Sequence, residues 1–132
     1  MTADEEYNLF IEKSKRYFED AIINYGKEYY DLSMFSLRQS LELFLKALLI
    51  KNAGDFPHGH SIKNLLETLS ETENDECKTK IQNYMKKYGL ELSILTDGYI
   101  TSRYFESSYD DNNIQKLINV VKEIKEGVQN VC

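Results

Sequence analysis

MFSLRQSLELFLKALLIK, residues 34–51, is the stretch that decides the fold of this chain. Its large apolar residues recur every three or four positions, which places them on one wide stripe of an α-helix. They are Leu37, Leu41, Phe44, Leu45, Leu48 and Leu49. A stripe this wide predicts a helix at the centre of a helical bundle.

The same stretch carries a ladder of polar residues. Arg38, Glu42 and Lys46 follow one another at four-residue steps, with Gln39 beside them. On a solvated face each opposite-charge pair would contribute about 0.2 to 0.5 kcal/mol. Alternatively, Gln39, Glu42 and Lys46 line a shared groove, because polar groups on so apolar a helix are costly unless they are paired. The residues alone leave both interpretations open.

The segment before this stretch has the periodicity of a first helix. Thr2 and Glu5 have the spacing of a capping box at its start. Gly26 is the expected left-handed cap at its end. Asp31 or Ser33 is expected to cap the second helix.

Three further helices are predicted after the loop NAGDFPHGHS. Ser61 or His60 caps a short third helix. The apolar stripe of the fourth region passes through Gly89 without losing phase, so either one long helix tolerates the glycine or two helices meet there, and the continuous phase favours one long helix with a weak point. Asp111 or Asn112 caps the last helix.

The predicted fold is all-α, an up-and-down bundle of four long helices plus one short helix. A chain of 132 residues is long enough to bury its own core, and we expect one domain over residues 1–132. It contains one Pro and six Gly, few breaks for a helical chain. No segment alternates with period two for long enough to predict a strand.

Charge and composition exclude several classes of function. The net charge of −6 disfavours broad nonspecific binding to nucleic acid. Cys77 and Cys132 are too few and too distant in sequence to suggest a disulfide scaffold, and they fit a reducing cytoplasm. No apolar run approaches the roughly 20 residues that a membrane span needs. We therefore expect a cytoplasmic protein that does not interact with membranes.

Few residues offer chemistry of their own. His58 and His60 form an HxH pair, but no nearby cluster completes a metal site, so neither a metal nor a cofactor is predicted. His60 and Ser61 are expected to play a structural role in the loop. Arg103, in YITSRY, can stack on rings and bind phosphate or carboxylate, or it can neutralise a helix C-terminus. The sequence has no phosphate-binding glycine loop and no Gly-flanked serine nucleophile.

Three segments, in this order, resemble the HEPN domain, named for higher eukaryotes and prokaryotes nucleotide-binding. They are SLRQSLELFLKALL, HGHSIKNLL and YITSRY. The resemblance covers nearly the whole chain. The positions that match the family pattern are Gln39, Glu42, Lys46, His60, Ser61, Arg103 and Tyr104.

The resemblance implies an all-α bundle, commonly a homodimer, that is often paired with a small nucleotidyltransferase in a toxin–antitoxin arrangement. Catalytic members are metal-independent ribonucleases in which a histidine follows the arginine after about four to six residues. Here Ser108, Tyr109 and Asp110 occupy the corresponding positions. No imidazole is therefore supplied where that chemistry needs an acid or base.

Three hypotheses result. In the first, a non-catalytic HEPN protein binds a nucleotide, RNA or a nucleotidyltransferase partner through Gln39, Glu42, Lys46, Arg103 and Tyr104. The alternative is a ribonuclease toxin with an altered site, in which Arg103 acts with Tyr104 or Tyr109 and without a histidine. The third is a plain helical interaction module whose ladder is only a surface chain of ion pairs.

Overall fold

Helices account for all the regular structure in the described part of the chain. A computed structural model describes residues 1–59, 61–72, 74–104 and 110–132, with only the backbone for 98–104. Its helices over these ranges are α1 (Ala3–Gly26), α2 (Tyr30–Ala53), α3 (Ile62–Ser70), α4 (Asp75–Lys87), α5 (Gly89–Tyr104) and α6 (Asp111–Gln129). The all-α class is confirmed. Within the same ranges, no helix is both long and apolar enough to cross a bilayer.

The α2 helix lies at the centre of the bundle, as its stripe predicted. It packs against α1, α3, α5 and α6. Five of its leucines (Leu37, Leu41, Leu45, Leu48 and Leu49) are buried, because a helix with so many neighbours has little surface left for water. Gly54 ends α2 in the left-handed conformation, with a φ of 81°. Four helices therefore take their positions around α2, while α4 packs against α3, α5 and α6.

A seam of serines joins α1 to α2. The Ser14 hydroxyl donates to the Ser40 carbonyl at 2.7 Å, and the Ser40 hydroxyl donates to the Ser14 carbonyl at 2.7 Å. Further along, the Ser33 hydroxyl donates to the Ala21 carbonyl at 2.8 Å. Each hydroxyl is buried, and each satisfies its hydrogen-bonding capacity on the neighbouring backbone. These bonds fix how far α1 can slide along α2.

The prediction of one long helix through Gly89 was wrong, and so was the division into four long helices and one short helix. α4 ends at Lys87, and α5 begins at Gly89. Tyr88, between them, leaves helical geometry with φ −115° and ψ 28°. Its ring stacks on Tyr84, with centroids 6.1 Å apart, and its hydroxyl donates to the Glu123 carboxylate on α6. This contact with α6 accompanies the break between the two helices.

The turn between α1 and α2 also differs from its prediction. Gly26 is the last residue of α1 and is not left-handed; the residue with positive φ is Glu28, at 63°. α2 begins at Tyr30, without a side-chain cap. Asp31 and Ser33 therefore lie inside the first turn, and neither is the cap.

The other helix starts follow their capping residues more closely. Thr2 caps α1 and Ser61 caps α3, each accepting a hydrogen bond from the backbone N–H three residues later, as predicted. The cap of α6 is Asp110. The prediction of Asp111 or Asn112 was thus one or two residues late.

The two cysteines form a disulfide, contrary to expectation. Cys77, at the start of α4, is bonded to Cys132, and their Cα atoms are 5.0 Å apart. The chain end is held there because Asn74 and Asn52 donate side-chain N–H groups to the Val131 and Cys132 carbonyls at 2.7 and 3.1 Å. A separation of 55 residues in sequence therefore corresponds to direct contact. The cysteines no longer support a reducing compartment.

Candidate functional site

The polar ladder of α2 forms a continuous chain of charged contacts. An Arg38 guanidinium nitrogen, Nη1, donates to Glu42 Oε2 at 2.9 Å, and Lys46 Nζ lies 3.2 Å from Glu42 Oε1. Arg38 Nη1 also donates to Gln39 Oε1 at 3.0 Å. Both oxygens of one carboxylate are thus held between two cations. We call Arg38, Gln39, Glu42 and Lys46 the ionic chain.

Burial decides between the two interpretations of the ladder. Arg38 is 0% exposed and Glu42 is 3% exposed, so the surface interpretation is wrong for this pair. A matched pair exists on α1, where Arg16 and Glu12 are also four residues apart but exposed, with 3.8 Å between the charged atoms. Removing one partner of a buried pair leaves an uncompensated charge, whereas an exposed pair contributes little.

The ionic chain reaches the surface at Lys46, whose side chain is 13% exposed. Its ammonium lies 5.0 Å from the centre of the Phe56 ring, in the loop after α2. That ring in turn contacts Phe10 of α1, with centroids 5.8 Å apart. A cation over an aromatic face is stabilised by the ring's electron distribution. Lys46 is therefore the charged group of the ionic chain that a ligand could reach, and Gln39 is also only partly buried.

The other predicted site residues are only partly described. α5 packs against α2, and its last turn contains the backbones of Arg103 and Tyr104. Their side chains lie outside the described residues, as do His60, Ser108 and Tyr109. The fold brings Gln39, Glu42 and Lys46 together. That Arg103 lies across the groove from them stays a prediction.

The loop after α2 supplies one described histidine, His58. It is exposed. Over the residues whose side chains are described, no cluster of three or more His, Cys, Asp or Glu could hold a metal ion.

A second polar cluster, which was not predicted from the sequence, lies between α1, α2 and α6. Lys125 Nζ on α6 donates to the Ser40 hydroxyl at 3.1 Å, beside Ser14. The ammonium also lies 5.1 Å from the centre of the Phe18 ring and 5.9 Å from that of Phe44. The sequence did contain a sign of this cluster, because the charged residue Lys125 falls on the apolar seam of α6.

Burial and, to a smaller extent, repulsion from Lys15 together lower the pKa of Lys125 to about 8. Both causes act against the charged form. Among the described residues, Lys125 has no carboxylate in an ion pair with it. Its only hydrogen bond there is the one to Ser40.

These features define a class of domain: an all-α bundle that is built around one helix with a buried ionic chain. A family model described as the HEPN domain matches residues 7–131, and the chain belongs to that family. The resemblance drawn from the three sequence segments is thereby confirmed. No curated protein and no solved structure gives a significant match.

Replacing Glu42 tests the burial of the ionic chain. Glu42→Ala should lower the free energy of unfolding by about 3 to 5 kcal/mol, because it leaves Arg38 charged and buried. The exposed Glu12→Ala variant is the control and should cost about 0.5 kcal/mol or less. Urea unfolding of both variants measures the difference. Equal losses in the two variants would contradict the burial of the pair.

The Lys125 pKa predicts a pH dependence of stability. Between about pH 8 and 10.5 the folded protein releases this proton while the unfolded chain keeps it, so this group makes stability rise with pH. Lys125→Met should therefore stabilise the protein by about 1 to 2 kcal/mol at pH 7, after allowance for partial exposure. The gain should shrink towards pH 10.

Urea unfolding at pH 7 and pH 9.5 checks this expectation. Lys80→Met is the matched control, because Lys80 also lies over an aromatic ring, that of Tyr84, but on the exposed side of α4. A gain from Lys125→Met that is the same at both pH values would contradict the assignment.

Proposed function

We propose that this HEPN protein is the non-catalytic binding component of a pair with a small nucleotidyltransferase, of the toxin–antitoxin type, in the cytoplasm. Its site is the ionic chain together with Arg103 and Tyr104. The ligand is a nucleotide or the partner enzyme itself. RNA, which carries phosphate groups as a nucleotide does, is a further ligand in this proposal.

The observation that carries this proposal is the burial of the ionic chain and its exit at Lys46. Buried ion pairs are weak contributors to stability, since apolar residues of similar size often serve as well. Their presence on the central helix is therefore better accounted for by a binding role. Lys46 offers a cation held in place by Glu42 and Phe56. Such a fixed cation suits a phosphate or a carboxylate.

A homodimer is part of the proposal. Four large apolar side chains remain exposed near the turn between α1 and α2: Ile22, Ile23, Tyr29 and Leu32, at 43 to 55%. Exposed apolar groups that are close together are typical of protein interfaces. A dimer that covered them would remove this surface from water.

The proposal does not include ribonuclease activity. The chain has two histidines, His58 and His60, and both precede Arg103 in sequence. Of the residues at the positions of the family's catalytic histidine, Asp110 caps α6 by accepting a hydrogen bond from the Asn113 backbone. A carboxylate engaged as a helix cap is poorly placed to act as an acid or base.

Binding measurements test the proposal. Arg103→Ala and Lys46→Met should each weaken binding of ATP, GTP, CTP or UTP, whichever binds the wild-type protein, by roughly tenfold or more, because each removes a charge-assisted contact. For the proposed partner, the same variants should weaken co-purification with a co-expressed small nucleotidyltransferase. Thermal unfolding of Arg103→Ala should stay close to that of the wild type.

Lys78→Met, an exposed lysine on α4, is the control and should leave both affinities unchanged. Light scattering on the same samples gives the stoichiometry. Two results would contradict the proposal: absence of both nucleotide and nucleotidyltransferase binding, or RNA cleavage by the purified dimer that Arg103→Ala abolishes. The second result would establish the ribonuclease alternative.

A further inference from the structure

A cavity that is separate from the ionic chain opens between α1 and α6. Its volume is about 200 Å³. Its lining residues come from these two helices and are Lys15, Phe18, Lys122, Lys125, Glu126 and Gln129. Three of the six carry a positive charge and one carries a negative charge. The cavity is therefore electropositive in a protein whose net charge is −6.

Helix periodicity explains why these lysines meet. On α6, Lys122 and Lys125 are three residues apart and so project from the same side. On α1, Lys15 precedes Phe18 by three residues in the same way. The contact between α1 and α6 brings the two faces together around the cavity. Lys125 lies deepest, between the Phe18 and Phe44 rings and against Ser40.

Lys125 lies on the opposite side of α2 from the ionic chain. Ser40, its hydrogen-bond partner, is two residues from Arg38 and from Glu42, which is a rotation of about 200° around the helix. The two clusters are therefore independent sites. A ligand in one does not contact the other.

The like charges in this cavity have an energetic cost. Lys15 acts on Lys125 by repulsion, and no described carboxylate is among the groups that act on the Lys125 ammonium. Glu126 lines the cavity but forms no ion pair with Lys125 within the described residues. An anion placed among the three ammonium groups would remove the repulsion and replace the lost hydration of Lys125.

We propose that this cavity binds a small phosphate-class anion through Lys15, Lys122 and Lys125. Phosphate suits it better than a singly charged anion, because a dianion can interact with several ammonium groups at once. The volume admits inorganic phosphate or the phosphate group of a larger molecule. Phe18 offers an apolar wall to whatever carries that group.

A titration followed by NMR tests the proposal. Inorganic phosphate and a nucleoside monophosphate, AMP, are added separately to the full chain at constant ionic strength, since salt screens surface charge. Saturable shifts are expected at the Lys125 side chain and at the α1 and α6 amides around the cavity. If the site takes a free anion, phosphate and AMP should bind alike; if it takes the phosphate group of a larger molecule, AMP should bind more tightly.

Substitutions assign the binding to this cavity. Lys125→Met should weaken phosphate binding by roughly tenfold to a hundredfold, and Lys15→Met by a smaller factor. Lys80→Met, the matched control on α4, should leave the affinity within about twofold. Lys125→Met is expected to fold, because it removes a buried charge, and its unfolding curve verifies this.

The test also separates this site from the ionic chain. Arg103→Ala should leave phosphate binding at the cavity unchanged, even if it abolishes binding of a nucleotide at α2. Phosphate binding that survives Lys125→Met, or that is lost with Arg103→Ala alone, would overturn the proposal. Absence of saturable shifts around the cavity would overturn it too.

Discussion

The rest of this structure depends on one constraint. On the central helix, the carboxylate of Glu42 is held between two cations. Glu42 forms ion pairs with Arg38 and Lys46, and the Arg38–Glu42 pair is almost completely buried. The neighbours of α2 must therefore cover a charged surface as well as an apolar one. Any rearrangement that separated Arg38 from Glu42 while one of them stayed buried would weaken the compensation of the buried charge.

On another side of α2, the serine seam fixes the position of α1. Ser14 and Ser40 bond reciprocally to each other's backbone, so α1 lies against α2 in one register. Lys125 of α6 joins the same seam through Ser40. Three helices are thus positioned by polar contacts within a largely apolar core. Such contacts favour one arrangement over others of similar apolar burial.

Periodicity was sufficient to predict which segments are helical, though not where α4 ends and α5 begins, because burial of one face repeats every three or four residues whatever the partner is. It could not predict which neighbour covers Arg38 and Glu42, since that depends on how α2 packs within the bundle. The break at Tyr88 accompanies a contact with Glu123, 35 residues away. Likewise, Cys77 meets Cys132 because the bundle brings the chain end back to α4. Local sequence carries no signal for either contact.

The candidate site was predictable in part for the same reason. Gln39, Glu42 and Lys46 were identified from their spacing on one helix, and the helix does bring them together. Arg38, which connects Gln39 to Glu42, was known as a member of the ladder but not as a fully buried group. Lys125 was missed because its partners lie on α1 and α2, far away in sequence.

A double-mutant cycle on Arg38 and Glu42 tests the central claim most directly. Arg38→Met, Glu42→Gln and the double variant are compared with the wild type by urea unfolding, with a parallel cycle on the exposed Arg16 and Glu12. We expect a coupling free energy of about 2 kcal/mol or more for the buried pair and less than about 0.5 kcal/mol for the exposed pair. Equal and small coupling in both cycles would contradict the account.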